Sequence, residues 1–241
     1  MLSVVVPVYN EAENIAPLIA EIAALKGRVP LAEIVYVNDG STDGTLAELL
    51  RLKAQYPMLR VITQSPRAGQ SCATWSGVLA ATQPVCVTLD GDGQNDPEGI
   101  VGMFATFMTA SQAGTRVMVA GQRQKREDNL VRILSSRIAN NVRSALLKDG
   151  VRDTGCALKM FRREDYLSLP YFNHMHRFLA ALMIREGVNV ALSPVRHRPR
   201  TRGVSKYGVM NRLFVGIVDL FGVRWLQARA RPAKLTLTEG Q

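Results

Sequence analysis

Two periodicities alternate along the first hundred residues. Leu2 to Val8 is a short apolar run that ends in polar Asn10-Glu11, and Asn14 to Ile22 then places Ile15, Leu18, Ile19 and Ile22 at helical spacing. The pattern recurs at Glu33 to Val37, which runs into Asn38-Asp39-Gly40-Ser41-Thr42-Asp43-Gly44-Thr45 and a helical segment from Leu46 to Tyr56. A third strand, Leu59 to Thr63, leads through Arg67-Ala68-Gly69-Gln70-Ser71 into a helix of small residues reaching about Thr82. A fourth, Val85 to Leu89, ends on two acids. Short apolar runs rich in Val and Thr read as buried strands, and their alternation with helices implies βαβ crossovers in a parallel sheet. The predicted class is α/β.

Crossovers of this kind bring successive strand ends to one edge, where ligands of open α/β sheets gather. Asp90-Gly91-Asp92-Gly93-Gln94-Asn95-Asp96-Pro97-Glu98 follows the fourth strand at once. Asp-x-Asp at that place offers hard oxygen ligands to Mg²⁺ or Mn²⁺, which typically take one or two carboxylates together with substrate phosphates. Gly91 and Gly93 permit a tight turn. Read alone, the segment is equally an acidic surface turn. Three successive strand ends with polar or acidic residues are harder to obtain from surface turns. Asp96 and Glu98, beside Pro97, read as acids at a helix N-terminus, and Asp43 as a helix cap.

Further on, Arg116 to Ala120 reads as a strand, Arg177 to Glu186 as a helix, and Met103, Phe104, Phe107 and Met108 as a core stripe. His174 and His176 are two apart, which suits no helical zinc pair, and His197 flanks a basic loop. Cys72, Cys86 and Cys156 are odd in number and lack metal-type spacing, so they read as reduced, mostly buried thiols. The 241 residues suffice for one large core. With the N-terminus entering a core strand directly, no signal peptide is expected.

Charge changes the picture at the C-terminal end. The net charge is +10, and from Arg196 onward ten Lys/Arg face only Asp219 and Glu239. Such a patch suits nucleic acid, anionic lipid or phosphorylated ligands. Interleaved with it are Val209, Met210, Leu213, Phe214, Val215, Ile217, Val218, Leu220, Phe221, Val223, Trp225 and Leu226. That run is too short and too charged to span a bilayer. Tyr207 to Gln227 reads as an amphipathic helix lying in a membrane interface, with packing on the core or on a partner subunit as the competing reading.

Pro7-Val8-Tyr9-Asn10-Glu11, Asn38 to Thr45 and Asp90 to Glu98 resemble the signatures of family-2 glycosyltransferases. Asp153-Thr154-Gly155-Cys156-Ala157-Leu158-Lys159-Met160-Phe161-Arg162-Arg163 and Arg200-Thr201-Arg202-Gly203-Val204-Ser205-Lys206-Tyr207-Gly208 resemble the polyprenyl-phosphate subgroup, typified by dolichol-phosphate mannosyltransferase. The resemblance runs from residue 2 to about residue 226. It implies a GT-A type, Rossmann-like mixed sheet flanked by helices. It divides the chain into a catalytic domain, 1–206, and an interfacial helix with a basic tail, 207–241. It implies an inverting transfer from a UDP- or GDP-linked sugar to a polyprenyl phosphate on the cytoplasmic face of the inner membrane, by a peripheral protein.

By the same resemblance Pro7, Tyr9 and Glu11 wall the nucleotide pocket and Asp39 accepts a base N–H. Asp90, Asp92 and Gln94 hold Mg²⁺ or Mn²⁺. Arg200 and Lys206 contact the diphosphate, and Arg123, Arg132 and Arg137 hold the acceptor phosphate in the segment after the strand at 116–120. Asp92, Arg200 and Lys206 are the expected catalytic set. A phosphate acceptor is already an anion, so arginines that fix it in line replace a strong general base. Expected partners are a nucleotide-diphosphate sugar, a polyprenyl phosphate lipid and a membrane surface, with a homo-oligomer allowed. The resemblance also implies C-terminal transmembrane helices in many relatives; none is expected within residues 207–241, so membrane attachment is expected to depend on the amphipathic helix or on a partner.

Two other classes fit less well. A dinucleotide oxidoreductase needs a glycine-rich first turn, where this chain has Pro-Val-Tyr-Asn-Glu. A nucleic-acid module would account for the basic charge but lacks stacking aromatics and any signature motif, so nucleic acid is not expected. The serious alternative is a family-2 enzyme acting on a saccharide acceptor in envelope polysaccharide synthesis.

Overall fold

The computed structural model describes residues 1–124, 143–151, 153–199 and 209–230. β1 (Leu2–Val8), β2 (Leu31–Asp39), β3 (Leu59–Gln64) and β4 (Val85–Thr88) alternate with α1 (Ala12–Ala23), α2 (Thr45–Lys53) and α3 (Gln70–Ala80). α4 (Gly99–Gln112), β5 (Val117–Arg123), the helical residues 143–147 (α5), β6 (Lys159–Arg162), α6 (Arg163–Leu167), α7 (Leu179–Arg185), β7 (Asn189–Val195) and α8 (Val209–Ala228) follow. They form one seven-stranded sheet in the order β3-β2-β1-β4-β6-β5-β7.

The first four strands are mutually parallel, as the alternating pattern predicts. β6 inserts antiparallel between β4 and β5, so the sheet is mixed, as the family resemblance implies. β7 pairs parallel with β5 at the edge, where its Pro194 costs no interior ladder bond.

Strand alternation sends successive side chains to opposite faces. Val4, Val6, Ile34, Tyr36 and Val87 pack with α1, α2 and α4 on one side. Val5, Val35, Val37, Cys86, Met118 and Phe161 pack with α3, α7 and part of α8 on the other. α3 lies directly on the sheet: a Cβ on Gly77 would fall 2.4 Å from Val5 Cγ1 and 2.9 Å from Val37 Cγ2.

Several expectations need correction. Of the α4 stripe, Met103 and Phe107 are buried, whereas Phe104 is only partly covered and Met108 is exposed, because two of the four positions drift off the sheet-facing side. α7 begins at Leu179, after a 3₁₀ turn at Met175–Arg177, and not at Arg177. The thiols are mostly buried, as expected: Cys86 and Cys156 fully, Cys72 half. α8 spans Val209–Ala228 and uses two faces. Val223 is buried, with Leu220 and Leu226 packed against the same cluster, while Ile217, Val218, Phe221 and Trp225 are exposed. Arg185 Nε donates to the Leu226 carbonyl (3.1 Å) and Gln227 Nε2 to that of Leu147 (3.0 Å), fixing the inner face.

Candidate active site

Register places the strand ends side by side: Val8 opposes Asn38, Asp39 opposes Gln64, and Val5 opposes Thr88. The first two loops are laced together. Asn10, in the left-handed region (φ 53°), donates its N–H to Ser41 Oγ (2.9 Å) and accepts at Oδ1 from Thr42 N–H (2.7 Å). Glu11 N–H donates to Thr45 Oγ1 (2.9 Å), and Glu11 Oε2 accepts from Asn14 Nδ2 (2.7 Å). Asp43 Oδ1 accepts from Thr45 N–H (2.9 Å), although the N-cap of α2 is Gly44 and not Asp43.

Asp39 is 3% exposed, and its oxygens accept the N–H of Ala68 (2.7 Å) and Gly69 (2.8 Å). It therefore sets the path of the β3–α3 loop. Arg67, from that loop, stands 3.8 Å from Asp39 Oδ2 and carries its guanidinium 3.9 Å over the ring of Tyr9. Arg67 thus brings Tyr9 and Asp39 to one place beside the β1 and β2 strand ends.

The acidic segment is held against β1. A Cβ on Gly91 would meet Val8 Cγ1 at 2.2 Å and the Pro7 carbonyl oxygen at 3.3 Å, so only glycine fits between the acids. Asp92 Oδ1 accepts from Gln94 N–H (3.1 Å), a local Asx turn. Asp90 Oδ1 accepts from Gln70 Nε2 (2.7 Å), which fixes the first acid from the start of α3. Downstream, Arg198 N–H donates to the Gln94 carbonyl (2.8 Å), while its guanidinium reaches Glu21 (2.7 Å) and Asp96 (2.9 Å). A bridge joins Asn95 to His197. The chain leading to Arg200 is thereby tied to the acidic segment. Glu98 pairs with Arg28, consistent with an acid serving the fold.

Beside Asp90 lies a cavity of about 230 Å³ whose lining includes Pro7, Gln70, Thr88, Asp90, Thr154, Gly155, Lys159, Tyr166, His176 and Arg177. Lys159 is buried, and its ammonium donates to the carbonyls of Cys156 (2.8 Å), Thr154 (3.3 Å) and His176 (3.4 Å). Burial lowers its pKa, while Cys156, Asp90 and Asp153 pull it back up. Ser71 Oγ and His176 Nδ1 are 2.7 Å apart, which ties α3 to the 3₁₀ turn. The two cysteines flanking this region are inert by burial: Cys86 is pushed up to about 12, and Cys156 is also raised.

Arg123 lies inside β5, not in the segment after it, because that strand runs three residues further than the apolar run. It pairs through Nε and Nη2 with both oxygens of Asp153, each at 2.6 Å. Arg132, Arg137, Arg200 and Lys206 lie outside the described residues. Among the described residues no group of three His, Cys, Asp or Glu is placed to hold a metal ion. His174 instead meets Asp219 of α8, Nδ1 to Oδ2 at 3.2 Å.

Gln70, Lys159, Tyr166 and His176 were not singled out as site residues from sequence. A lone lysine in the strand Lys159-Met160-Phe161-Arg162 was the available signal. The other three come together only through packing.

The same fold occurs in crystal structures of two synthases. One is glucosyl-3-phosphoglycerate synthase from Mycobacterium tuberculosis, in complex with Mn²⁺, UDP and glucosyl-3-phosphoglycerate. It shows a TM-score of 0.67 and 18% identity over 99% of this chain and 84% of that one. The other is mannosyl-3-phosphoglycerate synthase from Rubrobacter xylanophilus, with a TM-score of 0.68 and 19% identity over 98% and 78%. Residues 3–169 match the family model of Glycosyl transferase family 2: the chain belongs to that family and is a glycosyltransferase. It is 32% identical to dodecaprenyl-phosphate galacturonate synthase of Rhizobium johnstonii over 96% of its own length and 69% of that protein's. It is 34% identical to undecaprenyl-phosphate 4-deoxy-4-formamido-L-arabinose transferase of Edwardsiella ictaluri over 87% and 63%. The chain thus spans about two thirds of each of these relatives. Among the described residues no helix is long and apolar enough to cross a membrane.

Proposed function

We propose that this enzyme moves a glycosyl group, with inversion, from a UDP- or GDP-linked sugar to a polyprenyl phosphate at a membrane surface. The observation that carries the reading is the acid pair Asp90 and Asp92 at the end of β4. Its first acid, Asp90, is braced by Gln70 and borders the cavity lined by Lys159 and Arg177. The two relatives above are named for polyprenyl-phosphate acceptors, which supports the choice of acceptor.

The donor set fits a divalent cation: two carboxylates one residue apart, with Gln94 beside them, leave coordination positions for phosphate oxygens. Mg²⁺ or Mn²⁺ bound there would supply Lewis-acid neutralisation of the leaving diphosphate. Tyr9 and Asp39 hold the base: the Asp39 oxygens, oriented by Ala68 and Gly69, each keep a second lone pair for a base N–H. Pro7 and Glu11 wall that pocket. Arg200 and Lys206 close over the diphosphate. Arg123, Arg132 and Arg137 receive the acceptor phosphate, which as an anion needs orientation more than deprotonation.

Residues 1–206 form the catalytic unit and 207–241 the membrane-contacting one, with the outer row of α8 lying in the interface. The protein would then work on the cytoplasmic face of the inner membrane as a peripheral enzyme, alone or as a homo-oligomer. The deciding experiment offers radiolabelled UDP- and GDP-sugars with undecaprenyl phosphate or with oligosaccharide acceptors, in the presence of Mg²⁺ or Mn²⁺. Label extracted into the organic phase supports the lipid acceptor. Label appearing only on the saccharide overturns it in favour of polysaccharide synthesis.

A further inference from the structure

Asp219 is the sole acid of α8. It is half-buried, whereas Ile217 and Val218 just before it are exposed. Standing three residues from Gly216 and four from the buried Val223, it belongs to the inner side of the helix. A carboxylate placed there is costly unless it is paired. Its partner is His174, whose Nδ1 lies 3.2 Å from Asp219 Oδ2. A carboxylate only accepts, so the ring donates from Nδ1.

The helix does not need this contact to stay in place. Val223, with Leu220 and Leu226, packs on the core, and Arg185 and Gln227 tie its last turn. What Asp219 fixes is the segment that His174 begins. His174 has φ of 68°, a conformation that non-glycine residues keep where their surroundings impose it. It is the N-cap of the 3₁₀ turn Met175–Arg177, and His176 and Arg177 of that turn line the cavity beside Asp90. Arg177 also comes back to α8: a Cβ on Gly216 would lie 4.0 Å from its Nη1. On the other side, Ser71 of α3 meets His176 Nδ1 at 2.7 Å, and Lys159 donates to the His176 carbonyl at 3.4 Å. One wall of the cavity is therefore clamped between α3, which also carries the Gln70 that braces Asp90, and α8.

We propose that Asp219 is a positioning residue for glycosyl transfer: through His174 it holds the turn that walls the cavity beside Asp90. α8 is then part of the catalytic scaffold as well as the carrier of the exposed outer row. The inference rests on the cavity being the place of reaction, as read above, and not on the identity of the acceptor.

The test compares Asp219→Ala, His174→Gly and the double variant with wild type. Glycine accepts the left-handed backbone, so His174→Gly removes the ring alone. His174→Asn tolerates the same backbone and restores an N–H donor at the position of Nδ1. Hydrogen exchange follows the amides of Met175, Arg177 and Phe178, which donate within this segment. Transfer is assayed in detergent solution, where vesicle attachment plays no part, with undecaprenyl phosphate or with the saccharide acceptor if label goes there. In each single variant the three amides should exchange at least about fivefold faster, while those of α8 keep their protection. Per folded molecule, kcat should fall at least about tenfold, the worth of one hydrogen bond to a charged group. The double variant should be no more than about twofold slower than the slower single, and His174→Asn should recover at least about a third of the wild-type rate. Unchanged exchange in the turn overturns the proposal, because Asp219 then holds nothing there. Losses that multiply in the double variant overturn it as well, as does a His174→Asn variant as slow as His174→Gly. Faster exchange with an unchanged kcat overturns it by another route: the clamp exists, but the cavity is not the place of reaction.

Discussion

Gln70 Nε2 donates to Asp90 Oδ1 across 2.7 Å, so the first residue of α3 orients the first acid of the pair at the end of β4. The same stretch of chain is fixed from the other side by Asp39, which accepts the N–H of Gly69 at 2.8 Å. Gly69 makes the turn between them with φ of 92°, a conformation that side chains resist. Asp39, Gly69, Gln70 and Asp90 therefore link the end of β2 to the acids after β4 through one short run of backbone and two hydrogen bonds.

Gln70→Ala should raise the Mg²⁺ or Mn²⁺ concentration for half-maximal activity by about tenfold or more, the usual effect of removing the partner of a ligating carboxylate. Gln70 is only half-buried, so the unfolding temperature should hardly move. Metal titration of the transfer rate, beside a thermal melt, checks both. An unchanged metal requirement would mean that Asp90 needs no such brace.

Asp92→Ala should abolish transfer and leave the fold intact. Its Oδ1 accepts from Gln94 N–H in a local turn on the loop after β4, outside the packed strands and helices. Loss of a metal ligand should cost several kcal/mol of transition-state stabilisation, or roughly two orders of magnitude in rate or more. A folded variant keeping more than about a tenth of the wild-type rate would remove Asp92 from the metal site.

The parallel half of the sheet was legible because each of its strands is an apolar run ended by a polar turn. Asp39, Asp90 and Asp92 were legible for the same reason. β6 was not: Lys159–Arg162 is four residues long, starts and ends on a base, and reads as polar although Lys159 is buried. Its burial depends on three carbonyls from two separate loops, a tertiary arrangement with no local trace. Tyr166 and His176 reach the cavity from different short elements, and Ser71 meets His176 across 105 positions of chain. Arg123 was placed one element too late, since an arginine closing a strand looks like the start of a loop.

At the opposite end of the sheet, Glu33 supplies a pH-dependent clasp. Burial opposes its ionisation, but Arg60 (2.7 Å), Ser3 Oγ (2.7 Å) and the Thr82 N–H (2.5 Å) and Oγ (2.9 Å) outweigh that and lower its pKa. A carboxylate with a depressed folded pKa adds stability above its unfolded pKa, about 4.3, and loses it as pH falls through the lower folded value. Glu33→Gln should therefore cost about 1–2 kcal/mol near neutrality, with the half-exposed Arg60 contributing the smaller share. Urea midpoints of the two proteins should converge as pH drops below about 4. A gap that stays constant from neutral to acid pH would show that the carboxylate charge is irrelevant.

The outer face of α8 carries the last prediction. Ile217, Phe221 and Trp225 recur at four-residue intervals and are 46%, 64% and 59% exposed, with Val218 beside them at 57%. Residues four apart share one side of a helix, so this is a continuous apolar row. Arg224 and Arg229 are exposed on the same helix and just beyond it, and the Arg229 guanidinium lies 5.8 Å from the Trp225 ring centroid. Apolar rows edged with arginine suit an anionic interface, where each charge is worth about 1 kcal/mol. Cutting the chain before α8 would test this poorly, because Val223 belongs to the core. Replacing both Phe221 and Trp225 by Ser leaves that inner face in place. Wild type should sediment with phosphatidylglycerol-rich vesicles at low salt and be partly released at high salt. The double variant should partition at least about tenfold more weakly while melting at the wild-type temperature. Equal sedimentation of the two proteins would take the membrane contact away from α8.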